Sequence, residues 1–310
     1  MIIYGIEEVS MDKTDYLLEQ RLFQLDPQLH RRFTNTVSIM PLSLDSYRRL
    51  FPEYTDHSIF HSMNVLQFCN DLIGEEQIER MSAYECYVLL MSCYLHDIGM
   101  GISESDYEEF KVHLDYEDYF RQPGRDVAGF VRDNHHEFSG LYIRKYADLL
   151  EIPSPELVFA ITQVARGHRR TDLFDVNEYP TYLQINGNSP LNLPYLAAVI
   201  RMADEIDVVR HRNPSLLYDI ETLTDAHQIE CNRLLQAVPR MDILPDKFVL
   251  DVLIEDELSG DEKLLENIRN MAGKMQKTLD VCRSVTELRT PFRITQKHVE
   301  LNFLNPESGS

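Results

Sequence analysis

The chain is short of several things, and each shortage removes a class of function. No run of about 18 apolar residues occurs, so no membrane span is expected. The start, Met1-Ile2-Ile3-Tyr4, has neither the basic flank nor the long apolar stretch of a signal peptide. Cysteines are few and odd in number (Cys69, Cys86, Cys93, Cys231, Cys282), with no C-x-x-C, which implies free thiols and a reducing, cytoplasmic setting. Basic residues are scarce: 51 acids face 30 bases, for a formal charge of −21. That balance disfavours broad nucleic-acid binding, and a nuclease with it. It still leaves room for a local basic pocket around a small phosphate ester, with Arg166, Arg169 and Arg170 as its source. There is no Walker loop, no Gly-x-Ser-x-Gly elbow, no internal repeat and no low-complexity stretch.

What is present is an ordinary globular composition. With 44% hydrophobic residues but only 12 glycines and 14 prolines in 310 residues, the chain can bury a sizeable core. Residues 1–8 read as a short edge strand and Lys13–Leu25 as a modest helix. Residues 26–50 read as mixed, with a short helix opening at Leu42. A helix capped by Thr55 or Asp56 runs to about Ile73, where Gly74 ends it. Ser82-Ala83-Tyr84-Glu85 is a capping box, and Val88-Leu89-Leu90-Met91 after it is apolar nearly all round, so this helix should be buried. Residues 102–123 are acidic and aromatic and read as helix and loop over a site. Helices follow over about Asp126–Leu150, from Ser154-Pro155 to about Gly167, and from Asn192 onward, with 171–190 read as loop. Beyond about 222, Phe248–Ile254 and Val299–Phe303 suit strands, and Ser259-Gly260-Asp261-Glu262 opens a helix to about 287. The expected fold is mainly α, with a small C-terminal α+β appendage. Its parts are an N-terminal extension over 1–49, a helical core over 50–221 and the appendage over 222–310.

The buried helix after Ser82 ends on Leu95-His96-Asp97-Ile98-Gly99. Imidazole nitrogen and carboxylate oxygen both ligate divalent metals, and one carboxylate can bridge two of them. His61, His135, His168 and Asp204 fall on the ends or inner faces of four further helices. His57 lies one turn before His61, like a zincin's two histidines, but Ser58 stands where that motif needs a Glu. His57 or His61, and His135 or His136, are therefore the candidates on their helices, and Arg144, Arg169 and Arg170 have the chemistry to hold a phosphate. His211 would at most pair with Asp207, itself placed to orient a ligand. Cys86 and Cys93 share one helix face and read as core.

The order H…HD…H…H…D over about residues 50–215, with His61-Ser62-Met63-Asn64-Val65, His96-Asp97-Ile98-Gly99, His135-His136-Glu137-Phe138-Ser139 and Ala203-Asp204…Asp207, resembles the HD superfamily of metal-dependent phosphohydrolases. It is most similar to two-metal members such as the HD-GYP phosphodiesterases and to stand-alone bacterial HD proteins with His-Asp-Ile-Gly-Met. It departs from HD-GYP in three places. Gly-Tyr-Pro is absent although Glu178-Tyr179-Pro180 is near, Met100 replaces a phosphate-contacting lysine, and Arg169 follows His168 in place of a second histidine. Cyclic di-GMP is therefore not expected as substrate.

The resemblance implies a helical bundle holding dinuclear HD-type chemistry: His61, His96, Asp97 and Asp204 on one metal, and Asp97, His135 and His168 on a second. It prefers His61 to His57 because only His61 precedes the Ser-x-x-Val pattern, and His135 to His136 because Ser139 lies four residues on. His57 is then expected behind the ligands or facing substrate, and His136 at the mouth of the site. His96 and Asp97 are its catalytic pair. Mixed nitrogen and oxygen donors suit Fe, Mn, Co or Ni and admit Mg or Zn. The expected substrate is a nucleotide or other small phosphate ester, attacked by a hydroxide held between the metals. The alternative is a sensing or adaptor module that binds a nucleotide without turnover. Its C-terminal region would dimerise or dock a partner protein.

Overall fold

The computed structural model describes residues 16–185, 189–209, 226–254 and 261–304. The strand expected over 1–8, His211 and the Ser259 end of the second capping box lie outside these residues.

The N-terminal part is more regular than its sequence suggested. Helix α1 (Leu17–Leu25) leads into α2 (Pro27–Asp45), a single 19-residue helix where a mixed stretch was expected. The reason lies in Asp26-Pro27. The Asp26 carboxylate accepts from the backbone N–H groups of Gln28 and Leu29, and proline fills a first-turn position whose N–H needs no partner. Leu29, Phe33, Thr36, Met40 and Leu44 then recur at three- and four-residue spacing and are buried on one face.

Next come α3 (Ile59–Ile73), α4 (Glu75–Arg80) and α5 (Ala83–Leu95). The cap of α3 is Ser58, not Thr55 or Asp56. Ser58 accepts from Phe60 N–H, and Asp56 in turn accepts from the Ser58 N–H and hydroxyl. The expected capping box of α5 is formed, and every residue from Glu85 to Leu95 is buried. Buried Glu85 is satisfied by Ser82 and by the Asn192 side-chain amide at 2.7 Å. The helix is thus the central post of the main core, and it can end only inside the protein.

After α5, a 3-10 turn over Ile98–Gly101 leads to α6 (Glu104–Phe110) and α7 (Tyr116–Phe120). Tyr107, Phe110, Phe130 and Phe138 form a second aromatic core there. Helix α8 (Val127–Lys145) packs on the turn after α5 and on α9 (Pro155–Arg166, capped by Ser154), and α9 in turn packs on α5. The stretch read as loop after α9 contains a short antiparallel hairpin, β1 (Leu183–Ile185) with β2 (Ser189–Leu191). Helix α10 (Leu193–Ile206) follows, with Pro194 in its first turn.

The C-terminal part is the expected α+β appendage: α11 (Ala226–Gln236), β3 (Arg240–Ile243), β4 (Lys247–Leu253), α12 (Glu262–Arg289) and β5 (His298–Leu304). Strand order is β3-β4-β5, antiparallel then parallel, from Lys247↔His298 to Leu253↔Leu304. Parallel pairing requires a crossover, and α12 supplies it. Ile268 and Met275 pack beneath the sheet, whereas Leu279, Cys282 and Val285 of the same helix join the main core beside α10. One long helix therefore ties the appendage to the helices that carry the site. No single described helix is long and apolar enough to cross a membrane.

Candidate metal centre

Five separate segments deliver the polar groups expected from sequence to one point. His61 lies in the first turn of α3, and His96-Asp97 closes α5. His135 is midway along α8, His168 follows α9, and Asp204 is in the last turn of α10. His61, His96, Asp97, His135 and His168 are all buried.

The local sequence explains the convergence. The Ser139 hydroxyl donates to the His96 carbonyl at 2.6 Å and accepts from Gly99 N–H at 2.9 Å, which clamps the turn after α5 onto α8. The approach is close enough that a Cβ on Gly99 would stand 2.2 Å from the His135 carbonyl oxygen. Glycine after Ile98 and a small residue four positions after His135 are thus two sides of one contact. Arg201 holds the turn bearing His168, donating to the carbonyls of Gly167 at 2.6 Å and Thr171 at 2.8 Å.

The geometry around Asp97 divides its two oxygens. Oδ2 lies 3.4 Å from both His61 Nε2 and His96 Nε2, and His61 Nε2 is 3.3 Å from Asp204 Oδ1. Oδ1 lies 3.3 Å from His135 Nε2 and 3.5 Å from His168 Nε2. Donors about 2.0–2.2 Å from one metal sit roughly 3–3.5 Å from each other, so each group has the spacing of a metal's ligand shell.

The tautomers agree. Nδ1 of His96, His135 and His168 faces the carbonyl oxygens of Cys93, Arg132 and Ala165 at 3.0, 2.6 and 2.6 Å. His61 Nδ1 faces Asp207 Oδ2 at 2.7 Å. A carbonyl only accepts, so these Nδ1 atoms carry the protons and the Nε2 lone pairs point inward. Yet Nε2 of His61 is 3.2 Å from that of His96, and Nε2 of His135 is 2.9 Å from that of His168. Lone pairs held this close repel unless a cation lies between them. The donor set therefore fits a divalent metal.

Charge states fit as well. Burial alone would raise the Asp97 carboxyl, but His96, His61 and His135 hold it well below the usual carboxylate range. Burial likewise opposes ionisation of Asp204, and His61 and His168 outweigh it. Burial pushes His135 down, and burial with the neighbouring His96 and His135 pushes His168 well down. Ionised carboxylates and neutral imidazoles are the states that bind metal.

A cavity of about 430 Å³ opens beside this cluster. Of the residues expected to hold substrate, His57, Arg169 and Arg170 line it, and His57 is fixed through Nδ1 to the Thr55 carbonyl at 2.7 Å. Arg169 and Arg170 are paired with no carboxylate among the described residues. His136 and Arg144 do not line the cavity. His136 is buried behind His135, and its imidazole is pushed down to about 3 by burial, His135 and the nearby arginines. Arg144 lies nine residues along α8 from His135, about 13 Å away, and is exposed. Arg166 is also unavailable, because Glu137 holds its guanidinium bidentately at 2.6 and 3.0 Å.

Two lining cations were not anticipated. Arg132 sits one turn before His135 on the same face of α8, so helical spacing could have revealed it. Lys274 comes from α12 and pairs with Glu205 at 2.8 Å. Nothing near it in sequence marks it. Met100, the residue expected to stand in place of the HD-GYP lysine, is buried in the wall.

No curated protein and no solved structure matches this chain. The HD-CE family model matches residues 51–285, more than half of the chain and all of the converging ligand-type residues, and the protein belongs to the HD-CE family.

Proposed function

We propose that the protein is a metal-dependent phosphohydrolase acting on a small phosphorylated compound such as a nucleotide. One observation carries the reading: Asp97 presents one oxygen to His61 and His96 and the other to His135 and His168. One metal would be held by His61, His96, Asp97 and Asp204, and a second by Asp97, His135 and His168. Fe, Mn, Co or Ni suit these donors, and Mg or Zn are compatible. Bound divalent metal supplies Lewis acidity and lowers the pKa of water.

The chain's own groups do the rest. Asp207 keeps His61 in the tautomer that offers Nε2. Arg169, Arg170 and Lys274 bring positive charge to the cavity wall of a strongly acidic protein, where a phosphoryl group would be attracted and oriented. Metal analysis of the purified protein, with nucleotide and phosphate-ester turnover assayed in Mn, Fe, Co and Mg, tests the proposal. Asp97→Ala should lose both bound metal and turnover, and undiminished turnover in that variant would refute it. Met100 favours a second reading, a pocket that binds nucleotide without hydrolysis, because it leaves an apolar wall beside Asp97. Metal-loaded protein that retains intact nucleotide after long incubation would select this reading.

A further inference from the structure

A second cavity of about 440 Å³ adjoins the first, within the range of about 300–1,000 Å³ typical of ligand pockets. The two share Tyr54, Arg132 and Gln228 as walls. Arg132 stands at the boundary, its guanidinium donating to the Tyr54 hydroxyl at 2.9 Å while its carbonyl accepts from His135 Nδ1. The metal-ligand helix and the partition between the cavities are therefore one rigid piece.

Among the described residues the second cavity holds no metal-ligand cluster. Phe51, Tyr54 and Tyr119 give it aromatic surface, and Gly124, Ala128 and Gly129 keep it open. Arg125 lies over the Tyr119 ring at 4.7 Å and is held by Gln122, so a flat cation also faces the space. The charges nearly cancel: Glu53 and Asp126 line the same cavity as Arg125 and Arg132. A second phosphate would gain little there, whereas a neutral ring could stack on the aromatic and guanidinium faces.

We infer that this compartment receives the leaving group of the substrate, and that this group is an uncharged aromatic or heteroaromatic ring system. The inference rests on the phosphohydrolase reading, in which water oxygen bonds to phosphorus, the phosphorus–oxygen bond to the leaving group breaks, and that oxygen takes up a proton. With phosphorus beside Asp97, the departing oxygen points past Arg132 and the ring lies beyond it.

Phosphonates, whose carbon–phosphorus bond resists hydrolysis, test the compartment without turnover. Binding of naphthylmethylphosphonate, methylphosphonate and methylenediphosphonate to the full metal-loaded chain is measured by calorimetry. Naphthylmethylphosphonate should bind at least tenfold tighter than methylphosphonate, and methylenediphosphonate should gain less. Ala128→Phe, which fills the compartment, should shrink the naphthyl preference to threefold or less, and Tyr54→Leu, which removes a ring without adding bulk, should reduce it too. Equal affinities in the native protein, a preference unchanged in both variants, or a diphosphonate gain matching the naphthyl gain would overturn the inference. Failure of the underlying reading looks different: the protein would hold no metal or hydrolyse no ester, whatever the phosphonates show.

Discussion

Gly99 offers the sharpest test of how the centre is built. Replacing it by alanine places a Cβ 2.2 Å from the His135 carbonyl oxygen, 2.6 Å from Ser139 N and 2.9 Å from Phe138 Cβ. Two of the three are backbone atoms within α8 and cannot rotate away. Restoring an ordinary contact of 3.4 Å requires a separation of about 1.2 Å between α8 and the turn bearing Asp97. Overpacking of this kind costs about 1–3 kcal/mol, a fall in Tm of roughly 2–5 °C for a chain of this size. The direction of the shift matters more than its cost. It carries His135 away from Asp97 Oδ1, now 3.3 Å from His135 Nε2, and leaves His61, His96 and Asp204 in place. Gly99→Ala should therefore lose the metal of the His135–His168 half first, halving the stoichiometry found by elemental analysis while the protein remains folded by circular dichroism. Gly273→Ala is the control, since a Cβ there meets nothing within 4 Å on the exposed face of α12. It should stabilise by about 0.5–1 kcal/mol. A Gly99→Ala protein with native Tm and full metal content would refute the reasoning.

Further expectations follow from the same geometry. Asp207→Ala removes the partner 2.7 Å from His61 Nδ1 and should weaken metal binding by about 10–100-fold with little change in fold, measured by competition with a chelating dye. Arg201→Ala strips the carbonyls of Gly167 and Thr171 of a charged donor, and should destabilise by about 2–4 kcal/mol in denaturant titration. Arg169→Ala with Arg170→Ala should raise KM for a phosphate ester about tenfold or more while leaving metal content unchanged, and an unaltered KM would remove both from substrate binding. His136 is kept neutral by burial, with its pKa down at about 3, while the unfolded chain takes up a proton below about 6.5. The unfolded state then binds more protons between these values, so stability falls as pH drops through that window. In metal-free protein His136→Asn should flatten the slope of Tm against pH between 6.5 and 4, and identical slopes would refute the assignment.

Much of the site is legible along the chain, because ligand-bearing positions sit where helices begin or end and those boundaries leave local marks. The Ser82 capping box and the apolar run after it locate the end of α5, and with it His96-Asp97. Spacing to Ser139 distinguishes His135 from His136, and in the structure Ser139 clamps the His96 turn while His136 does not line the cavity. The departures from expectation are local too: the long helix α2 is marked at its start only by Asp26-Pro27, and the three-residue strands of the hairpin after α9 are too short for alternation to show.

The sequence by itself determined that one helical core would gather four histidines and two aspartates, since hydrophobic period and capping are local properties that place residues on inward faces. Its shortage of basic residues likewise confines positive charge to a small number of places. Only the tertiary structure decided which oxygen of Asp97 serves which histidine pair, because that depends on the approach of α3 and α8 from opposite sides. The same holds for the cavity wall. Arg166 belongs to Glu137, and Lys274 arrives from a helix seventy residues beyond Asp204. Such contacts arise between elements far apart in the chain, and no periodicity within either element encodes them.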